Sequence, residues 1–183
     1  MPYLKAFTHK YPDTDVSITC TSSSNACSMI EKCNIDLALV AKPNNLGKSQ
    51  YHSLGIIEYI FVCTPSYRNK FNCTNDEIFQ YGNIMLLNKD NGSRTHINNY
   101  YAKNNIIPSH INDMDMLIEF AKMGIGISCV VKQFVEYELN SSSLIEINLS
   151  KPIPPREIGF LYNHIHPFNN NILNFIHMIK HFL

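Results

Sequence analysis

The stretch that decides the fold is Asn112-Asp-Met-Asp-Met-Leu-Ile-Glu-Phe-Ala-Lys-Met-Gly-Ile-Gly-Ile-Ser-Cys-Val-Val131. Leu117, Phe120 and Ala121 recur at helical spacing, and Asn112 stands where it can cap the start of that helix. Gly124 supplies a helix stop, and an apolar run follows at once. A helix that ends on a glycine and turns directly into a buried strand is typical of an α/β protein.

Composition narrows the class of protein. The chain has 183 residues, of which 45% are apolar, with 15 basic and 15 acidic side chains. A nucleic-acid-binding module usually has a pI above ~9, whereas this chain has a pI near 7.1. We therefore do not expect these residues themselves to bind DNA. No apolar run approaches the ~18 residues of a membrane helix and the first residues do not resemble a signal peptide, so we expect a cytoplasmic protein with no membrane partner.

Helices and strands are predicted to alternate along the whole chain. Helices are predicted at 2–10, 21–32, 75–81, 95–103, 113–123, 132–139 and 168–182. Strands are predicted at 16–20, 35–41, 54–63, 84–87, 106–111, 125–131, 144–149 and 157–162. This order predicts an α/β fold with a largely parallel sheet. The strongest predicted break in this series of helices and strands is Pro152-Ile-Pro-Pro155.

Several short motifs, in this order, resemble the effector-binding domain of LysR-type transcriptional regulators. Ile35-Asp-Leu-Ala-Leu-Val40 is similar to a strand of that family, and Gly92-Ser-Arg-Thr95 is similar to its Gly-Ser-x-Thr turn. Met123-Gly-Ile-Gly-Ile-Ser128 resembles its Lys-x-Gly-x-Gly-Ile segment, and Pro2 to Pro12 resembles its first helix. The resemblance spans nearly the whole chain.

The resemblance implies a two-lobed fold of the type 2 periplasmic-binding-protein kind. Lobe one would be discontinuous, comprising residues 1–63 and 154–183, and lobe two would comprise residues 64–153. The family's helix-turn-helix has no counterpart among these residues. Neither has the first strand of lobe one, so we expect lobe one to lack that strand.

The same resemblance implies that the domain binds a small-molecule effector, a small anion, at helix starts between the lobes. Helix N-termini suit anions because their first amides are unpaired and the helix dipole is positive there. The matching effector-binding candidates are Thr21, Ser22, Ser23, Ser93, Arg94, Thr95 and Asn112. Each hydroxyl or amide can equally be an ordinary helix cap, and Arg94 can equally be a solvated charge.

The resemblance also implies the partners of the domain. It implies a homodimer or homotetramer, with the first helix and its Leu4 and Phe7 on one side of the contact. It implies DNA contact only through a helix-turn-helix that is absent from these residues. It implies no cofactor.

Two other classes of protein remain open at this point. A solute-binding protein of a transporter shares the fold, but the sequence shows no signal peptide or lipoprotein cysteine. An enzyme is disfavoured because the chain has no Gly-x-Ser-x-Gly, His-Glu-x-x-His or P-loop motif. His177 and His181 have the i, i+4 spacing of metal ligands, but no acidic partner follows, so we expect surface or packing histidines.

Overall fold

The chain folds into two compact units in a computed structural model. Unit 1 comprises residues 1–56 and 156–183, and unit 2 comprises residues 57–155. The residues that the structure describes are 2–89, 91–98, 100, 109–111, 113–163 and 169–180. The lobe limits of 1–63 with 154–183 and of 64–153 stay predictions.

Helices and strands alternate in both units. The helices are α1 (Pro2–Lys10), α2 (Ser23–Glu31), α3 (Pro65–Arg68), α4 (Ile78–Tyr81), α5 (Gly92–Ile97), α6 (Met114–Lys122), α7 (Glu136–Asn140) and α8 (Asn169–Lys180). The strands are β1 (Leu37–Ala41), β2 (Ser49–Ile57), β3 (Tyr59–Cys63), β4 (Ile84–Leu87), β5 (Ser109–Ile111), β6 (Ile127–Val131), β7 (Ile145–Glu146) and β8 (Arg156–Asn163). A 3₁₀ turn covers Lys132–Phe134.

Unit 1 is built on a sheet with the strand order β1-β8-β2, in which β1 and β8 are antiparallel. One face of the sheet packs against α2 through Ile30 and Leu161, and the other packs against α8 through Phe160 and Ile176. The Phe7 ring of α1 is only 4% exposed and lies 5.0 Å from the Phe175 ring. The prediction that Phe7 contributes to a contact between protomers is therefore wrong, because this ring stabilises its own protomer.

One strand prediction for unit 1 is wrong. Val16 to Cys20 has no strand pairing and lies exposed, with Ile18 62% exposed. In β1, Leu39 is also 62% exposed. The absence of a strand at Val16 to Cys20 has a physical cause. An alternating segment forms a strand only where a neighbour takes up its backbone hydrogen bonds, and the described residues supply none beside Val16 to Cys20.

Unit 2 is built on a mixed sheet with the order β5-β4-β6-β3-β7. Strand β4 runs parallel to β5 and β6, whereas β3 runs antiparallel to β6 and β7. The prediction of a largely parallel sheet is therefore wrong, and the fold is a mixed α/β fold. Phe61 and Phe79 are buried on one face of this sheet, and Leu117 and Val130 are buried on the other.

The deciding stretch folds as predicted except at its first residue. Gly124 ends α6 with a φ of +68°, a conformation that glycine adopts without strain, and β6 follows with every residue buried. The N-cap is Asp113, whose carboxylate oxygen accepts hydrogen bonds from the amides of Asp115 at 2.7 Å and Met116 at 3.2 Å. The predicted cap, Asn112, is wrong by one residue because the helix begins at Met114; Asn112 itself lies outside the described residues.

Several predicted elements have different limits in the structure. The strand at 54–63 is divided at Glu58 into β2 and β3, and the helix at 132–139 is divided at Val135 into a 3₁₀ turn and α7. The helix predicted at 95–103 begins earlier, at Gly92, because the Asn91 side chain caps it. The strand predicted at 144–149 is limited to β7, because only Ile145 and Glu146 pair with β3.

Candidate functional site

The start of α2 carries three of the predicted site residues. The Ser22 hydroxyl caps the helix and accepts a hydrogen bond from the Asn25 amide at 3.3 Å. The Thr21 hydroxyl accepts one from the Asn25 side chain at 2.7 Å, and Ser23 is the first helical residue. The first turn contains no acidic side chain, so nothing in it opposes a bound anion.

The start of α5 carries the matching residues of unit 2. Asn91 is the N-cap, and its side-chain oxygen accepts a hydrogen bond from the Ser93 amide at 2.9 Å. The Ser93 hydroxyl lies 2.6 Å from the Tyr59 hydroxyl. Thr95, two residues further along the helix, is exposed. The hydroxyl of Ser93 is therefore held in place by a second hydroxyl instead of acting as the cap.

Arg94 is not the solvated charge that was one of its two predicted roles. It is 4% exposed, and its Nη1 donates to the Leu87 carbonyl at 2.9 Å while its Nε donates to the Asn98 side chain at 2.7 Å. Leu87 is the last residue of β4. These contacts fix α5 to the end of a strand. The same hydrogen bonds offset the cost of burying a charged guanidinium.

Tyr59 and His96 were not predicted from the sequence. Tyr59 is 5% exposed and donates or accepts the hydrogen bond with Ser93. The Nε2 atom of His96 lies 2.8 Å from the carbonyl oxygen of Pro154, and its ring centroid lies 6.0 Å from that of Tyr59. Tyr59 lies inside an apolar run, which predicts a core residue and not a site residue. The hydrogen-bond partners of Tyr59 and His96 are distant in the chain.

A polar cluster in unit 1 surrounds Tyr51. The Tyr51 ring lies against Gly159, where a side chain would leave no room, and its hydroxyl is buried with no hydrogen-bond partner among the described residues. Burial, together with the negative charge of Glu157, raises the pKa of Tyr51 to about 12. Glu157 accepts a 2.7 Å hydrogen bond from Lys42, and this bond, helped by one from Ser53, lowers the pKa of its carboxyl group.

Other kinds of site find little support in the described part of the chain. No group of three or more His, Cys, Asp or Glu side chains there is placed to hold a metal ion. Burial raises the pKa of the Cys63 thiol to about 11 and also raises that of Cys129, which makes both poor nucleophiles. Among the described residues, no helix is both long and apolar enough to cross a membrane.

The mixed α/β fold matches that of the regulatory domains of transcription regulators. The whole chain, residues 1–183, matches the model of the LysR substrate binding domain family. The chain therefore belongs to the LysR substrate-binding-domain family. It is the regulatory, effector-binding domain of a LysR-type transcriptional regulator, a family of regulators and not of enzymes.

Known proteins agree with this assignment. The chain is 22% identical over 167 residues to the HTH-type transcriptional activator IlvY of Haemophilus influenzae, which covers 85% of this chain and 56% of that protein. The fold is similar to the sulfate-bound regulatory domain of the OxyR2 E204G mutant from Vibrio vulnificus, with a TM-score of 0.76, 13% identity, and coverage of 100% of this chain and 88% of that one. The fold is also similar to the regulatory domain of AphB from the same organism, with a TM-score of 0.75 and 16% sequence identity. This match covers 100% of this chain and 91% of that one. The chain thus spans little more than half the length of its curated relative.

Proposed function

We propose that this domain senses a small anionic effector through the starts of α2 and α5. The proposed contacts are Thr21, Ser22, Ser23, Ser93, Arg94, Thr95 and Asn112. The observation that carries the proposal is the Ser22 hydroxyl at the start of the nine-residue helix α2, in a first turn without acidic residues. Amides and hydroxyls at such a position are favourable for an anion. Arg94 would act mainly by holding α5, given its buried contacts.

We propose that the intact protein is a cytoplasmic transcriptional regulator and that DNA is bound by a helix-turn-helix outside these 183 residues. The name of the IlvY relative includes that DNA-binding motif. The equal numbers of acidic and basic residues in this chain support a division of labour in which these residues sense the effector and do not contact DNA.

We also propose that the sheet of unit 1 takes up a further strand between Val16 to Cys20 and β1. Among the described residues, β1 pairs only with β8 and is an edge strand of the sheet. The exposed residues from Val16 to Cys20 alternate in sequence as a strand would. A strand inserted there would satisfy both sets of backbone groups.

The effector proposal predicts weaker binding when a helix-start hydroxyl is removed. Titration calorimetry with sulfate, phosphate and a panel of small carboxylates identifies an anion that binds the unchanged chain. Ser22→Ala and Ser93→Ala are each expected to weaken that binding by about 1–3 kcal/mol, the cost of leaving a buried polar group unpaired. Part of the effect of Ser22→Ala would be a loss of helix stability of about 1 kcal/mol.

A matched variant separates binding from general damage. Ser141→Ala removes an exposed serine hydroxyl that bonds only within its own turn, to the Glu138 carbonyl and Ser143. It is expected to leave the affinity unchanged. Unchanged affinity in both Ser22→Ala and Ser93→Ala would rule out these two helix starts as the anion site.

Members of this family oligomerise, and we expect this domain to form a homodimer in solution, with a homotetramer as the larger assembly. The α1 residue Leu4 remains available for a contact between protomers because it is only partly buried, unlike Phe7. Light scattering at tens of micromolar tests this prediction. A mass equal to the 21.0 kDa of one chain would contradict it.

A further inference from the structure

Helix α5 is hydrogen-bonded near both points where the chain passes between units 1 and 2. The chain enters unit 2 at Ile57 and leaves it at Pro155. Close to the entry, the Tyr59 hydroxyl bonds the Ser93 hydroxyl at 2.6 Å. Close to the exit, the Pro154 carbonyl lies 2.8 Å from His96 Nε2. One six-residue helix therefore contacts both connecting segments through polar side chains.

The donor is defined in one of these hydrogen bonds, and in the other it is one of two hydroxyls. A carbonyl oxygen only accepts, so His96 must carry a proton on Nε2. The two hydroxyls of Tyr59 and Ser93 share a single hydrogen bond, and either one can supply the proton. When the Ser93 hydroxyl donates to another acceptor, its hydrogen bond with Tyr59 persists only with the Tyr59 hydroxyl as the donor.

The helix between the two bonds is held rigidly. Arg94 lies between Ser93 and His96 in the chain, and its buried guanidinium attaches α5 to the end of β4. A pocket of about 150 Å³ is lined by residues of both connecting segments, including Glu58 to Phe61, Pro152 and Ile153. A helix that is attached to the sheet and hydrogen-bonded to both segments is a suitable element for coupling them.

We propose that Tyr59 and His96 are positioning residues that link the Ser93 hydroxyl to both connecting segments. An anion that accepts a hydrogen bond from the Ser93 hydroxyl makes Tyr59, at the first segment, the donor of the bond between the two hydroxyls. Through α5 and His96, the same event alters the second segment at Pro154. This regulatory role depends on the proposed effector contact at Ser93, whereas the mechanical link between the two segments exists without any ligand.

The link is tested on the whole chain without a ligand, by NMR. The first reporter is the Glu58 amide, which donates to the Gln133 side chain at 3.3 Å, and the second is the resonance of Ile153. His96→Phe keeps the ring but removes the bond to Pro154, and it is expected to speed exchange of the distant Glu58 amide about three- to tenfold. Ser93→Ala is expected to shift the Ile153 resonance of the second segment.

Two further variants make the result specific. His96→Gln retains an N–H donor and is expected to bring Glu58 exchange back towards the unchanged rate. Gln80→Ala, an exposed change on α4 of the same unit, is expected to alter neither reporter. Variants that perturb only the segment next to them would overturn the proposed link. That outcome leaves anion binding intact, whereas loss of anion binding in the calorimetry leaves this link intact, so the two failures are distinguishable.

Discussion

Replacing Gly159 with alanine is expected to lower the free energy of unfolding of unit 1 by about 3 kcal/mol, the upper end of the usual cost of overpacking a core. Gly159 lies in the central strand of the sheet, opposite Val40 of β1. A Cβ atom there would clash with the backbone carbonyl of His52 and would lie 2.7 Å from Cζ of the Tyr51 ring. A carbonyl in a neighbouring strand cannot move aside without disturbing the sheet, so the strain has no inexpensive relief.

Thermal unfolding followed by circular dichroism measures this effect. For a chain of this length the expected loss corresponds to a melting temperature about 6–12 °C lower. Gly92→Ala is the matched control, since a Cβ atom at Gly92 meets nothing within 4 Å. It is expected to leave the melting temperature unchanged or slightly higher, because alanine favours a helix. Equal melting temperatures for the two variants would show that the close approach at Gly159 is not rigid.

Local signals in the sequence predicted local structure well. The end of α6 at Gly124 was predicted because glycine adopts a positive φ without strain. A helix cap among the hydroxyls of residues 21–24 was predicted because they precede a helical pattern, and Ser22 is that cap. Strand pairing was not predicted correctly, since hydrophobic pattern alone does not say which strands become neighbours. Val16 to Cys20 shows this most clearly, as its alternation is that of a strand but no described strand pairs with it.

The candidate site shows the same division. The hydroxyls at Ser22 and Ser93 were found because they lie at recognisable helix starts. Tyr59 and His96 were missed because their partners lie 34 and 58 residues away in the chain. Tyr51 was missed for a related reason, since its packing depends on the absence of a side chain at Gly159 in another strand. Contacts that depend on tertiary packing leave no local signal in one sequence.

Amide hydrogen exchange is expected to be much faster in the sheet of unit 1 than in that of unit 2. A strand that pairs on one side only leaves an edge open to water, and among the described residues β1 pairs with β8 alone, at the edge of the sheet. Each buried apolar side chain that a missing strand would supply is worth ~1.5–3 kcal/mol. The sum over several such side chains is a large part of the ~5–15 kcal/mol that stabilises a whole domain. The difference between β1 and β6 is therefore expected to reach about 100-fold, or ~3 kcal/mol. We expect the 183-residue chain to be poorly soluble for the same reason.

The cause is tested by restoring a strand. A version of the chain extended upstream to supply the further strand is expected to slow exchange in β1 to the level of β6. Leu39→Lys provides the matched comparison. In the 183-residue chain this side chain is largely exposed, so the change is expected to cost little and to improve solubility. In the extended version, where the new strand would cover Leu39, the same change is expected to destabilise unit 1. Equal protection of β1 and β6 in the 183-residue chain would contradict the proposal. It would mean that the open edge of β1 is already satisfied and that no further strand belongs there.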